Sequence, residues 1–311
     1  MHQRVTPRKT SHVHISGSAL AILVLANAAL AIGPLFVREA DVGPVSSGLW
    51  RMALAAPLLL AFAARTPASF APARGVALPL LLGGLAFAGD LASWHLGIVR
   101  TTLANATLFG NSATLIYPIY GFVAARTLPS KGQVAALLLA VLGAALLLGR
   151  SAELSSRHLA GDLLCVLAGL LYTLYFITMA QVRARLSPAP ALALSTISSI
   201  PPLLLLAYAM GEQVWPHLWW PLLALTFLSQ IFGQGLMTRA LGQLPPLVIG
   251  IALLIQPLVA ATLGWLRYGE RLATLDLVGA AMVAAALVLV RGGAKVAPPP
   301  EGVMTAEEDA T

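Results

Sequence analysis

LAGDLLCVLAGLLYTLYFITMAQV, residues 159–182, is the stretch that decides the fold. It carries one charge, Asp162, near its start, and Arg183 and Arg185 follow it closely. As an α-helix rising 1.5 Å per residue it reaches about 36 Å, enough to cross the roughly 30 Å hydrocarbon core of a bilayer. The same kind of run recurs on both sides of it, at about 16–37, 43–64, 75–98, 102–124, 131–149, 190–210, 217–239, 245–266 and 273–291. Ten apolar runs joined by short loops rich in Arg and Pro therefore take up most of the 311 residues. The composition agrees: 58% hydrophobic and only 10% charged, with mean hydropathy +0.84, where a soluble domain carries about 25% charged residues. The fold class that follows is an all-α polytopic membrane protein of ten transmembrane helices in one compact bundle. The apolar–polar alternation of a membrane β-barrel is absent.

The net charge of +7 invites a nucleic-acid reading, but the placement of the charges favours a membrane. With a cytoplasmic N-terminus, the inner loops hold twelve basic residues: Arg4, Arg8, Lys9, Arg65, Arg74, Arg126, Lys131, Arg183, Arg185, Arg239, Arg291 and Lys295. The outer loops hold six: Arg38, Arg100, Arg150, Arg157, Arg267 and Arg271. This positive-inside bias places both termini in the cytoplasm of a bacterial inner membrane. Trp50, Trp215, Trp219, Trp220 and Trp265 all fall near outer helix ends, as an interfacial belt or as ordinary packing residues. The lone Cys165 rules out an intrachain disulfide and a cysteine-based metal site. The first run has no convincing small-residue cleavage site and is expected to stay as the first span. The tail from Ala297 is Pro-rich and then acidic, the composition of a disordered segment.

The chain repeats itself. Leu115-Ile116-Tyr117-Pro118 in the fourth run matches Leu254-Ile255-Gln256-Pro257 in the ninth. Pro79-Leu80-Leu81-Leu82 opens the third as Pro221-Leu222-Leu223-Ala224 opens the eighth, and Pro57 in the second answers Pro201-Pro202 in the seventh. The order of the matches carries the argument more than any one of them. Four segments result: a cytoplasmic N-terminal segment 1–15, a first five-helix repeat 16–150, a second 151–292, and a cytoplasmic tail 293–311. Five is odd, so the second repeat enters the membrane from the opposite side. Two inverted repeats are the architecture of secondary transporters, which hold substrate near the midplane between their halves.

The residues Gln256-Pro257, Gly264-Trp265-Leu266, Gly269-Glu270-Arg271-Leu272 and Gly279 make the second half resemble the drug/metabolite transporter superfamily, EamA type. In the first half, Ala125-Arg126-Thr127-Leu128 lacks the Glu that the family often carries after its fourth span. The resemblance implies a ten-helix bundle whose cavity is lined by helices one to four and six to nine. The fifth and tenth would support the bundle or mediate oligomer contacts, with a homodimer as one outcome. It also implies export of small metabolites such as amino acids or amines.

Polar side chains inside lipid are costly and need a reason. Arg51 and Asp90 lie at similar depth in the second and third spans, so an ion pair facing the cavity is expected, either for function or as a clasp that fixes packing. Trp94 shares a face with Asp90, and His95 lies about 100° further round the helix. A His near a carboxylate could take part in proton coupling or serve as an interfacial hydrogen bonder. Asn27, Asn105, Asn111, Tyr117, Tyr172, Tyr175, Gln230, Gln234 and Gln256 would form a pocket of amide and phenol groups, suited to an amphipathic or zwitterionic metabolite. The alternative for each is an interhelical hydrogen bond worth about 0.6 kcal/mol. Gln230 and Gln234, four apart, are expected to face the same way. Of the prolines inside spans, Ser198-Ser199-Ile200-Pro201-Pro202 is the strongest expected break. Ala136, Ala140 and Ala144 would let the fifth helix pack closely on a neighbour.

Isolated Asp162 and Asp276 and scattered His residues do not form the acid pairs or clusters of a membrane enzyme, and no phosphate-binding Gly-rich loop is present for an ATP-driven pump. No cofactor is called for. A channel or a non-transporting scaffold remains as the alternative to a carrier.

Overall fold

The computed structural model describes residues 16–65, 70–149, 155–259, 262 and 274–293. The segment 1–15, the tail beyond 293, and the Gly264-Trp265-Leu266 and Gly269-Glu270-Arg271-Leu272 motifs lie outside the described residues. The helices follow the ten runs: α1 (Gly17–Glu39), α2 (Pro44–Arg65), α3 (Ala73–Ile98), α4 (Asn105–Ala125), α5 (Lys131–Gly149), α6 (Leu159–Arg183), α7 (Pro188–Ala209), α8 (220–241), α9 (Pro246–Val259) and α10 (Thr274–Gly293). Six of them, α1 to α4, α6 and α7, are long and apolar enough on their own to cross a membrane.

Their ends are set locally. Ser16 Oγ accepts from Ala19 N at 3.1 Å and Thr102 Oγ1 from Asn105 N at 3.1 Å, meeting donors that an N-terminus leaves open. Ser130 and Gln133 form a reciprocal capping box at the start of α5. Prolines occupy the first turns of α7, α8 and α9, where a missing N–H costs nothing.

The packing follows a rule. Helix α1 lies against α8 and α3 against α6, while α2 pairs with α7, α4 with α9, and α5 with α10. If the helices of each half are numbered one to five, this set is unchanged when the halves are exchanged. Successive spans alternate in direction, so α2 and α7, α4 and α9, and α5 and α10 run antiparallel about a common two-fold axis. That is the geometry of two inverted five-helix repeats.

Small residues make the close contacts. Ala136, Ala140 and Ala144 are buried on α5, which packs on α10. A Cβ on Gly143 would stand 2.7 Å from the Gly279 carbonyl oxygen. A Cβ on Gly250 of α9 would meet the Thr114 carbonyl oxygen of α4 at 2.9 Å.

Among the described residues the helices are irregular at four places, and not at the one where the break was expected. α1 breaks at Ala31-Ile32, with Pro34 opening the second piece. α4 breaks at Asn111-Ser112 and α9 at Leu253-Leu254, each shortly before the proline of the matched Pro118 and Pro257 motifs. α8 winds as a π-helix over Leu225–Gly233. The break expected at Ser198-Ser199-Ile200-Pro201-Pro202 does not occur: α7 runs unbroken through both prolines. A transmembrane helix tolerates proline when neighbouring helices and hydroxyls take up the local polar groups. Beside the prolines, Ser198 Oγ donates to the Leu80 carbonyl at 3.2 Å and ties α7 to α3.

At one end, the loop after α7 is tied to α2. Glu212 accepts from Val45 N at 3.2 Å, Ser46 N at 2.8 Å and Ser46 Oγ at 3.0 Å. Trp50 Nε1 donates to the Val214 carbonyl at 2.6 Å, and its ring packs on Trp215 and Trp219. Trp220 meets Phe36 edge-on. This is the Trp-rich end; Trp265 lies outside the described residues.

Candidate functional site

The breaks in α1, α4 and α9 and the end of the π-segment in α8 border one void. Leu30, Ala31 and Pro34 line it at the break in α1, and Thr107, Gly110 and Asn111 at the break in α4. Gln234 lines it where the π-segment of α8 ends, and Gln256 just past the break in α9. α2 contributes Arg51, α3 contributes Phe87, Asp90, Leu91 and Trp94, and α6 contributes Tyr172. Among the described residues neither α5 nor α10 reaches it. Irregular backbone at membrane depth is tolerated where it lines a polar cavity. The void measures about 60 Å³. That is room for a few waters and far below the ~300 Å³ of a typical ligand pocket. The helices must separate for a metabolite to enter.

The void lies in the half toward the Trp-rich end. An aromatic layer closes the opposite side. Phe87 stacks on Tyr175 with ring centres 4.4 Å apart, Tyr172 meets Phe176 at 4.1 Å, and Tyr117 meets Phe176 at 5.2 Å. Tyr117 and Tyr175 belong to this layer and do not line the void.

Hydrogen bonds hold the lining in place and cross between the repeats. Arg51 Nε donates to Gln230 Oε1 at 3.1 Å, and Gln230 Nε2 donates to Thr196 Oγ1 at 3.0 Å. Gln256 Nε2 donates to Asn27 Oδ1 at 3.0 Å. Tyr172 Oη donates to Gln234 Oε1 at 3.2 Å. Gln230 and Asn27 are thus fully buried residues that position lining groups and do not touch the void themselves. Gln230 and Gln234 do not act together as their spacing implied. The π-segment changes the phase of α8, so Gln230 reaches α2 and α7 while Gln234 reaches α6.

The expected ion pair is not formed. Arg51 and Asp90 both line the void, yet their charged atoms do not come within 4.0 Å. The Arg51 guanidinium sits 5.8 Å from the Phe87 ring centre and spends its Nε–H on Gln230. Among the described residues the Asp90 carboxylate has no hydrogen-bond partner. His95 is not beside Asp90. It turns away from the void, with Nδ1 donating to the Pro44 carbonyl at 2.9 Å and lying 2.9 Å from Ser47 Oγ. It fastens the end of α3 to the start of α2. Asn105 likewise serves packing: its amide and Thr101 both donate to Asp162 Oδ1, at 2.9 and 2.6 Å.

Of the twelve candidate residues, Arg51, Asp90, Trp94, Asn111, Tyr172, Gln234 and Gln256 line the void; Asn27, His95, Tyr117, Tyr175 and Gln230 stand behind it. Sequence reasoning missed Leu30, Ala31, Pro34, Phe87, Leu91, Thr107 and Gly110. Pro34, set in an otherwise continuous apolar run, was the available signal for the break in α1.

Comparison with known proteins adds to the geometry. The model of the EamA-like transporter family matches this chain twice, over residues 17–149 and 159–292. The chain is 28% identical over 239 residues to a threonine/homoserine exporter RhtA of Salmonella typhimurium, covering 76% of this chain and 78% of that protein. It is 27% identical over 270 residues to the Escherichia coli K12 protein of the same name, covering 86% and 89%. An uncharacterized transporter of Archaeoglobus fulgidus is 26% identical over 267 residues, covering 81% and 88%. One solved crystal structure superimposes with TM-score 0.73 at 14% identity, over 89% of this chain and 97% of that one, a likeness of fold.

Proposed function

The chain belongs to the EamA-like transporter family, and from that membership and the shape of its cavity we propose that it is a secondary transporter exporting a small metabolite, an amino acid or amine, by alternating access. The observation that carries this reading is the void itself. It is polar on part of its wall, shared by both repeats, and bounded on one side by stacked aromatic rings. Two inverted repeats offer two arrangements of similar energy, related by exchanging the conformations of the halves. The relatives named for threonine and homoserine export support the direction and the substrate class.

The Trp-rich end is assigned to the periplasmic face and both termini to the cytoplasm, on the distribution of Lys and Arg. Coupling to protons, if the carrier uses them, falls to Asp90, the carboxylate on the void, with Arg51 and Tyr172 as the other ionisable groups facing it.

The test is exchange in proteoliposomes. Vesicles loaded with unlabelled amino acids should take up labelled amino acid by counterflow. A scaffold gives no exchange, and a channel lets label equilibrate without accumulation. Asp90→Asn should flatten any dependence of the exchange rate on pH between 5 and 8. A dependence unchanged in that variant removes Asp90 from coupling.

A further inference from the structure

Two opposite charges face one small void without touching each other. Arg51 is 3% and Asp90 8% exposed, so neither is solvated as it would be in water. A buried charge without a partner is costly, and the usual remedy would be a direct pair between them. The structure holds them apart instead. Gln230 of the second repeat fixes Arg51 by its Nε, leaving the terminal nitrogens of the guanidinium for another acceptor, and the Phe87 face supports the cation. Among the described residues nothing donates a hydrogen bond to either Asp90 oxygen. Trp94 and Tyr172 supply aromatic wall beside them.

We propose that Arg51 and Asp90 form a zwitterion clamp: Asp90 takes the α-ammonium and Arg51 the α-carboxylate of an amino acid, which completes the unformed ion pair from within. This rests on the exporter reading above and narrows its substrate class to amino acids, against simple amines and simple acids. The chemistry is selective because the void carries one charge of each sign. A zwitterion neutralises both. An amine leaves the guanidinium unmet, and a carboxylic acid leaves Asp90 unmet, so each loses one charge-assisted contact and keeps one desolvated charge. A guanidinium also suits a carboxylate by offering two parallel N–H groups.

The test uses the purified full-length protein and three probes that differ by one charged group. Threonine has both groups, 1-amino-2-propanol lacks the carboxylate, and 3-hydroxybutanoate lacks the ammonium. Binding is read by calorimetry in detergent, and exchange by counterflow. Threonine should bind the wild type more tightly than either fragment by about tenfold or more, the worth of a hydrogen-bonded charge. Asp90→Asn should weaken threonine and bind 3-hydroxybutanoate at least as well as the wild type does, because the unmet carboxylate is gone, so that the preference for threonine over the acid is lost. Arg51→Gln should likewise weaken threonine and bind 1-amino-2-propanol at least as well as the wild type does, so that the preference for threonine over the amine is lost. Asp90→Glu and Arg51→Lys, which keep the charges, should keep the preference for threonine over both fragments. Fragments that bind as well as threonine overturn the clamp. So do variants that weaken all three probes alike, the signature of a clasp that only holds helices together. If no amino acid binds but amines or sugars exchange, the clamp falls and the exporter reading stands. If a broad metabolite panel gives no exchange at all, the exporter reading falls as well.

Discussion

Gln230 shapes the site without touching the void. Its two ends are both engaged, one by Arg51 and one by Thr196, in a fully buried place. Leucine there would leave a guanidinium N–H and a threonine hydroxyl unmet, a loss of about 1–3 kcal/mol. Gln230→Leu should therefore unfold at a lower temperature in detergent and exchange substrate more slowly, while Gln230→Glu, which keeps an acceptor for Arg51, should recover part of both. An unchanged melting temperature in Gln230→Leu would mean that Arg51 is held by something else. Gly84 makes a different point at the same scale. A Cβ there would overlap the Ser198 side chain and stand 2.8 Å from the Ser198 carbonyl carbon, so α3 can approach α7 only because residue 84 has no side chain. Overpacking of this kind costs about 1–3 kcal/mol. Gly84→Val should lower the thermal midpoint, and a midpoint equal to wild type would show that the two helices have slack.

Helix ends and breaks hold the elements in register around the void. Glu212 caps α2 from across the bundle, placing a carboxylate at the positive end of a helix, where it meets two backbone donors and a hydroxyl. Removing it in Glu212→Ala should cost about 1 kcal/mol, as the loss of an N-cap does. The loss should be visible as a lower midpoint in denaturant or heat, with Glu212→Gln between the two. Should Glu212→Ala match wild type, the contact is ornamental at that end of the protein. The π-segment of α8 is the element with most consequence for the site. Gly33, at the break in α1, faces it so closely that a Cβ would stand 2.8 Å from Ser229 Oγ. Two irregular backbones therefore meet beside the void. This explains why Gln230 and Gln234, on one stripe of a regular helix, serve different neighbours here.

At the scale of the molecule, the pairing of helices is the same read from either half. That symmetry makes a carrier: one set of contacts can be closed while its counterpart is open. With a void of about 60 Å³, against the ~300 Å³ of a ligand-filled pocket, a metabolite can be held only if the helices around the void separate. Topology gives the matching prediction. Because Cys165 is buried, single cysteines can be added to the native chain. One at either terminus should react with a membrane-impermeant maleimide only after the membrane is opened. One in the 211–219 loop should react in intact cells. Termini labelled on opposite faces would break the inverted-repeat topology.

The sequence by itself determined the ten spans, because lipid leaves a helix little freedom: every backbone group must be paired within the segment, so apolar length and helix length coincide. It also determined the duplication, and the stripe of Ala136, Ala140 and Ala144 that seats α5 on α10. The tertiary structure alone decided which polar residues face the void. His95 and Asn105 look like Asp90 and Asn111 in a span, but helix rotation turns the first two to neighbouring helices and the second two toward the cavity. It also decided that Arg51 binds Gln230 and not Asp90, and that the helices break at 31–32, 111–112 and 253–254 and not at Pro201-Pro202. Those outcomes depend on contacts between residues far apart in the chain, many of them between the two repeats, and no local pattern encodes the rotation of one helix against another.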